Sequence, residues 1–191
     1  MIPDSKIKLK RSAQHTVILS PIGDIASSWL LSIQDSISRT FGFSTQTKSL
    51  LSDISFAYDL NRNQYHSTDI LRHLSSLLPN DAIRILAVTD VDLFIPILTY
   101  VYGEAQLGGI SAILSIHRLT ESIRSLHPEK VIQERISKEA IHEIGHTFNL
   151  KHCQDPSCIM HYCRGINDVD HKTDQLCRYC RILLSDELKK L

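Results

Sequence analysis

The sequence predicts an α/β (α+β) fold: a mixed, mostly parallel sheet with helices packed on it, followed by a small C-terminal subdomain. Short apolar runs of strand length alternate with stretches whose apolar residues recur at helical spacing, and this order is that of a parallel sheet. The chain has 191 residues, enough for one domain with a real core, since a domain of this size buries roughly 70% of its unfolded surface. All five cysteines (Cys153, Cys158, Cys163, Cys177 and Cys180) fall after residue 152. That asymmetry divides the single domain into an upper part, residues 1–150, and a C-terminal part, residues 151–191.

Taken in order, "HTVILS" at 15–20 reads as a buried strand, and Ile25, Trp29, Leu30, Ile33 and Ile37 then mark a helix between Asp24 and Arg39. "FGFSTQT" alternates like a half-buried strand. Ser67 or Thr68 is placed to cap a helix carrying Ile70, Leu71, Leu74, Leu77 and Leu78, which Pro79 and Asn80 end. "AIRILAV" at 82–88 reads as a central strand, and "PILTYVYGEAQLGGISAILSIHRL" as two strands around Gly108-Gly109. Pro128 suits the first turn of a long helix running to about residue 149. In that helix Ile136, Ala140, Ile141, Ile144 and Phe148 share one face, and His142 and His146 lie roughly opposite.

Composition excludes several classes. The chain is 42% hydrophobic and 22% charged, as soluble globular domains are. With 21 basic and 21 acidic residues there is no overall field to draw it to nucleic acid or an anionic membrane. Lys6, Lys8, Lys10 and Arg11 read as a solvated arm. The apolar run near the N-terminus is stopped by Pro21, Gly23 and Asp24 before it could form a signal-peptide core. No stretch approaches the roughly 18 apolar residues of a membrane span. A cytoplasmic monomer is expected, and in a reducing compartment clustered cysteines bind metal more readily than they pair.

The chemistry concentrates in "HEIGHTFNLKHC", residues 142–153. His142 and His146, four apart on a helix, present their imidazoles on one side and can share an ion. Glu143 is turned away by about a quarter of the circumference, so it reaches a water at the ion without ligating it. His152 can join only if the helix stops and the chain folds back. Asn149 supplies the stop, since asparagine is the residue after glycine best tolerated in the left-handed conformation. Three neutral imidazoles leave a fourth tetrahedral position open, the arrangement of a catalytic zinc. Peptide-bond hydrolysis follows, with Glu143 as general base.

Cys153 and Cys158, then Cys177 and Cys180, have the two-pair spacing of a closed structural zinc site. Such a site would staple a segment too short to build a large core of its own. Cys163 is left over, either as a substitute for Cys153 or, by preference, as a free thiol. Residues 151–191 carry seven Lys or Arg against six Asp or Glu, too balanced for a zinc-binding nucleic-acid module.

These residues resemble the archaemetzincins, a branch of the metzincin zinc peptidases with the pattern HExxHxxGxxHCx4CxM followed by CxxC. Here the pattern stands as "HEIGHTFNLKHCQDPSCIM" and "CRYC", with Asn149 in place of glycine. "GGISAILSIHRL" also looks like the family's segment before the active-site helix. The resemblance implies a metzincin-like zincin fold with a cleft between upper and lower subdomains. It implies His142, His146 and His152 as ligands of the catalytic zinc, Glu143 as general base, and Met160 as the Met-turn methionine beneath the metal. Cys153, Cys158, Cys177 and Cys180 would hold the second zinc, giving two zinc ions per chain. "IMHY" at 159–162 further resembles the Met-turn of astacin-like enzymes, which makes Tyr162 a candidate to stabilise an oxyanion, against a packed surface tyrosine.

The expected function is therefore a zinc metallopeptidase acting on extended peptide or protein substrates, adding a strand beside residues 104–116. The alternative is a zinc-stapled peptide-binding or scaffold protein with little turnover. An intact Glu143 favours the enzyme.

Overall fold

The computed structural model describes residues 15–191; the basic run Lys6, Lys8, Lys10 and Arg11 lies outside the described residues. The elements are β1 (Thr16–Ile22), α1 (Ser27–Phe41), β2 (Ser44–Thr47), β3 (Tyr58–Asp59), β4 (Gln64–His66) and α2 (Ser67–Ser75). They continue with β5 (Arg84–Thr89), β6 (Leu93–Phe94), β7 (Gly103–Ala105), β8 (Ser111–Ser115), α3 (Pro128–Thr147), α4 (Ile166–His171) and α5 (Arg178–Leu188). The main sheet has the order β2-β1-β5-β8-β7. Its first four strands are parallel, and β7 returns antiparallel to β8 at the edge. A second, small sheet, β3-β4-β6, was not expected.

Alternation along the central strands divides the core in two, because successive side chains point to opposite faces. Val17, Leu19, Leu86, Val88, Ala112 and Leu114 pack towards α1 and α3, whereas Ile18, Ile85, Ala87 and Ile113 pack towards Ile70, Leu71 and Leu74 of α2. β5 pairs on both sides, with β1 and β8, as its unbroken apolar run predicts. Each fully buried Leu or Ile contributes about 1.5 to 3 kcal/mol. α3 thus hangs under the β8-β7 side of the sheet. No helix among the described residues is long and apolar enough to cross a membrane.

Two expectations for α2 need correction. Neither Ser67 nor Thr68 caps it; both hydroxyls instead donate to the carboxylate of Glu104 on β7, Thr68 Oγ1 at 2.9 Å and 3.1 Å from its two oxygens. The negative side chain of an edge strand therefore sits at the helix's positive end, where it is electrostatically favoured. The helix also stops at Ser75, short of Leu77 and Leu78, through a turn in which Leu77 N–H donates to Leu74 O at 2.9 Å. Ser75 Oγ donates to Leu71 O and lies 2.8 Å from Ser111 Oγ, and such local side-chain bonds compete with continued helix.

Candidate metal and active site

The site is built at the C-terminal end of α3. Phe148 caps the helix and Asn149 follows with φ 62°. Asn149 N–H donates to His146 O at 2.9 Å and Leu150 N–H to Gly145 O at 3.2 Å. This is the Schellman arrangement, in which a left-handed residue reverses the chain while the last carbonyls stay bonded. Arg84 on β5 anchors the same end: its guanidinium donates to Thr147 Oγ1 at 3.2 Å and Thr147 O at 3.3 Å and lies 4.3 Å from the centre of the Phe148 ring. A cation there also answers the negative end of the helix.

After the turn His152 comes back beside the helix. The donor nitrogens of His142, His146 and His152 lie within 4.8 Å of one another, and Nε2 of His142 and His146 are 3.1 Å apart. Two nitrogens about 2.0 to 2.1 Å from one tetrahedral zinc would sit about 3.3 Å apart. The rings are also oriented for this. His142 Nδ1 lies 2.9 Å from Ile159 O and His146 Nδ1 2.6 Å from Leu150 O, so each Nδ1–H is spent on a carbonyl and each Nε2 lone pair faces the common point. Burial holds His142 well below its ordinary range, pulls His146 down to about 4 and lowers His152. All three are neutral at pH 7, as metal ligands must be.

The separation of α3 into a core face and a functional face does not hold. Every residue from Glu139 to Gly145 is buried, because segment 158–160 covers the histidine side. Met160 is fully buried, and a side chain on Gly145 would lie 2.6 Å from its Sδ. That glycine makes room for the methionine against α3.

Glu143 faces a cleft of about 620 Å³ whose walls are the 95–105 segment and Leu107 above, α3 behind, and Lys151, His152 and residues 162–164 below. Burial, then the neighbouring carboxylates Glu139 and Glu104, push its carboxyl well above the ordinary range; Lys172 opposes them. A cation beside it is what would keep it ionised. Tyr162, 42% exposed, places its ring 5.0 Å from that of His152.

Sequence reasoning missed the buried charges next to this cleft. Lys172, at the end of α4, has a side chain 0% exposed with Nζ 2.6 Å from Oε1 of Glu139, one turn before Glu143. The approach is off the hydrogen-bonding axis, so this is a charge pair more than a hydrogen bond. Arg135 is bidentate to Asp170 at 2.7 and 2.8 Å, and Lys138 donates to the carbonyls of Val169 and Asp170. Three side chains of α3 thus clamp segment 169–172.

On the far side of His152, the sulfurs of Cys153, Cys158, Cys177 and Cys180 lie within 4.8 Å of one another, those of Cys153 and Cys177 at 3.8 Å. Sulfurs about 2.3 Å from one tetrahedral zinc would be about 3.8 Å apart. Main-chain N–H groups of Cys177 and Cys180 point at Cys158 and Cys177 sulfurs, at 3.3 and 3.5 Å, as donors to thiolates should. Cys163 is outside the group and faces the cleft.

Comparison with known proteins agrees with this geometry. The model of peptidase family M54 matches residues 33–186. The chain is 36% identical over 179 residues to the archaemetzincin of Pyrococcus furiosus, covering 90% of this chain and 93% of that one. Among solved structures, archaemetzincin from Methanopyrus kandleri superposes with a TM-score of 0.85 at 30% identity, covering 95% of this chain and 99% of that one. The Archaeoglobus fulgidus archaemetzincin, complexed with malonate, gives 0.73 at 32% identity over 88% of this chain and 99% of that one.

Proposed function

Because the chain belongs to peptidase family M54, the archaemetzincins, and is a zinc metallopeptidase, we propose that His142, His146 and His152 hold its catalytic zinc and Glu143 is its general base. The observation that carries this reading is the convergence of three neutral imidazoles, two locked through Nδ1 onto carbonyls, beside a buried carboxylate that opens on the cleft. Zinc in this site would supply a Lewis acid and lower the pKa of water.

The protein's own groups do the rest. Ile159 and Leu150 carbonyls fix the histidine rings, and Met160 packs against α3. Glu143 takes a proton as water oxygen attacks the peptide carbonyl carbon, then delivers it to the amide nitrogen as the C–N bond breaks. The substrate lies extended along β7, the last strand of the sheet. Tyr102 O and Gln106 N–H are bonded to β8, so by alternation Gly103 and Ala105 turn their N–H and C=O groups to the open side, where a peptide strand can pair with them. Cys153, Cys158, Cys177 and Cys180 hold a second, structural zinc, and residues 151–191 act as the lower subdomain.

The test is Glu143→Ala. Hydrolysis of a diverse peptide library should fall by about 10²- to 10⁴-fold with zinc content unchanged, and cleavage by the unaltered protein should stop on chelation. A binding or scaffold protein would show no chelator-sensitive cleavage at all.

A further inference from the structure

Gly103 stands where β7 meets the catalytic helix, and the backbone does not explain why it is glycine. Among the described glycines the positive φ values belong to Gly23, Gly42 and Gly108, not to Gly103. Space explains it. A Cβ on Gly103 would lie 2.7 Å from Cγ of Glu143, 2.7 Å from its Oε1, and 2.6 Å from the main-chain oxygen of Ile113. Carbon atoms in favourable contact are about 3.5 to 4.0 Å apart.

Neither side of that contact can move away freely. β7 is held to β8 by Ser115 N–H donating to Tyr102 O at 2.8 Å and by Gln106 N–H donating to Ser111 O at 3.0 Å. The adjoining Glu104 carboxylate is tied to α2 through Ser67 and Thr68. Glu143 is 5% exposed, on a stretch of α3 whose residues from Glu139 to Gly145 are all buried, and its side chain is open only towards the cleft. The edge strand and the carboxylate are therefore in direct register, and the same residue presents its main chain to the open edge.

We propose that Gly103 is a positioning residue for hydrolysis: by lacking a side chain it lets the Glu143 carboxylate lie against the strand that carries the substrate, fixing the base relative to the scissile bond. This rests on the peptidase reading, in which Glu143 is the general base and β7 the substrate edge. A methyl group here presses on the Glu143 side chain and on the main-chain oxygen of Ile113, so it shifts the base relative to the edge strand, while the histidines lie outside the contact. Misplacement by about 1 Å can cost about 10²-fold in rate.

The experiment is a cycle of Gly103→Ala and Glu143→Ala in zinc-loaded protein. Gly103→Ala should lower kcat by about 10²-fold, change KM by less than about threefold, and leave zinc content unchanged. It should lower Tm by roughly 5 °C in the unaltered background and by clearly less beside Glu143→Ala, which removes the carboxylate it meets. In the Glu143→Ala background it should leave peptide affinity unchanged. Equal Tm losses in both backgrounds, or a loss confined to KM, would overturn the proposal. If Gly103→Ala alone does not fold, recovery of folded protein by the double variant supports the proposal and its failure to fold overturns it. Absence of cleavage by the unaltered protein would instead sink the peptidase reading, which the stability cycle does not depend on.

Discussion

Replacing Lys172 by methionine should destabilise the zinc-loaded protein by about 3 to 5 kcal/mol, the usual cost of leaving one half of a buried ion pair behind. Both side chains are sealed, 0% exposed for Lys172 and 4% for Glu139, with 2.6 Å between Nζ and Oε1. At an effective dielectric constant of about 20 that separation corresponds to roughly 6 kcal/mol of attraction, most of it offset by desolvation while the pair is intact. Methionine fills the lysine stem, so little cavity cost is added. What remains is a buried carboxylate one turn from Glu143. Urea unfolding is the assay, and a Tm fall of about 6 to 20 °C is the corresponding thermal signal. Adding Glu139→Leu should restore stability to within about 1 kcal/mol of the starting protein. A loss below about 1 kcal/mol for Lys172→Met, or a double variant weaker than the single one, would refute the reasoning.

Asn149→Ala should cost about 1 kcal/mol, because φ 62° strains a residue without asparagine's local hydrogen bonding, whereas Asn149→Gly should be neutral or slightly stabilising; chemical denaturation and zinc titration measure both effects. Cys177→Ser with Cys180→Ser should reduce metal content from two zinc ions to one per chain by elemental analysis and cost several kcal/mol of stability. The Arg135 guanidinium holds the Asp170 carboxyl below its ordinary value of 3.8. As pH falls, the unfolded chain takes up that proton first. This pair's stabilisation is therefore complete above about pH 4 and is lost as pH drops through the lowered native value; Asp170→Asn should flatten the acid limb of a stability-pH profile.

The sequence made the parts with strong periodicity or strict spacing legible. The apolar run at 82–88 is the central strand, and the need for His152 to return to the helix required a left-handed Asn149, which has φ 62°. Other features were hidden for physical reasons. β3, β4 and β6 are two or three residues long, too short for alternation to register. Glu139 and Lys172 gave no signal, since pattern reasoning assigns a charge to the surface unless its partner is known. Ser67 and Thr68 had the right chemistry for caps, but their partner, Glu104, is distant in sequence. Gly103 did carry a signal: an isolated glycine in a strand marks close approach of another group. Met160 stood out only through the family resemblance.

The clamp of Arg135, Lys138 and Glu139 on segment 169–172 also bears on the order of assembly. It needs no ion, and neither do the carbonyl bonds that fix His142 and His146. The proposed ligands are thus held in part by contacts that no ion supplies, unlike those of a zinc finger, whose chain folds only around its ion. What an ion then has left to order at the histidines is small, since two of the three rings are already held by main-chain carbonyls.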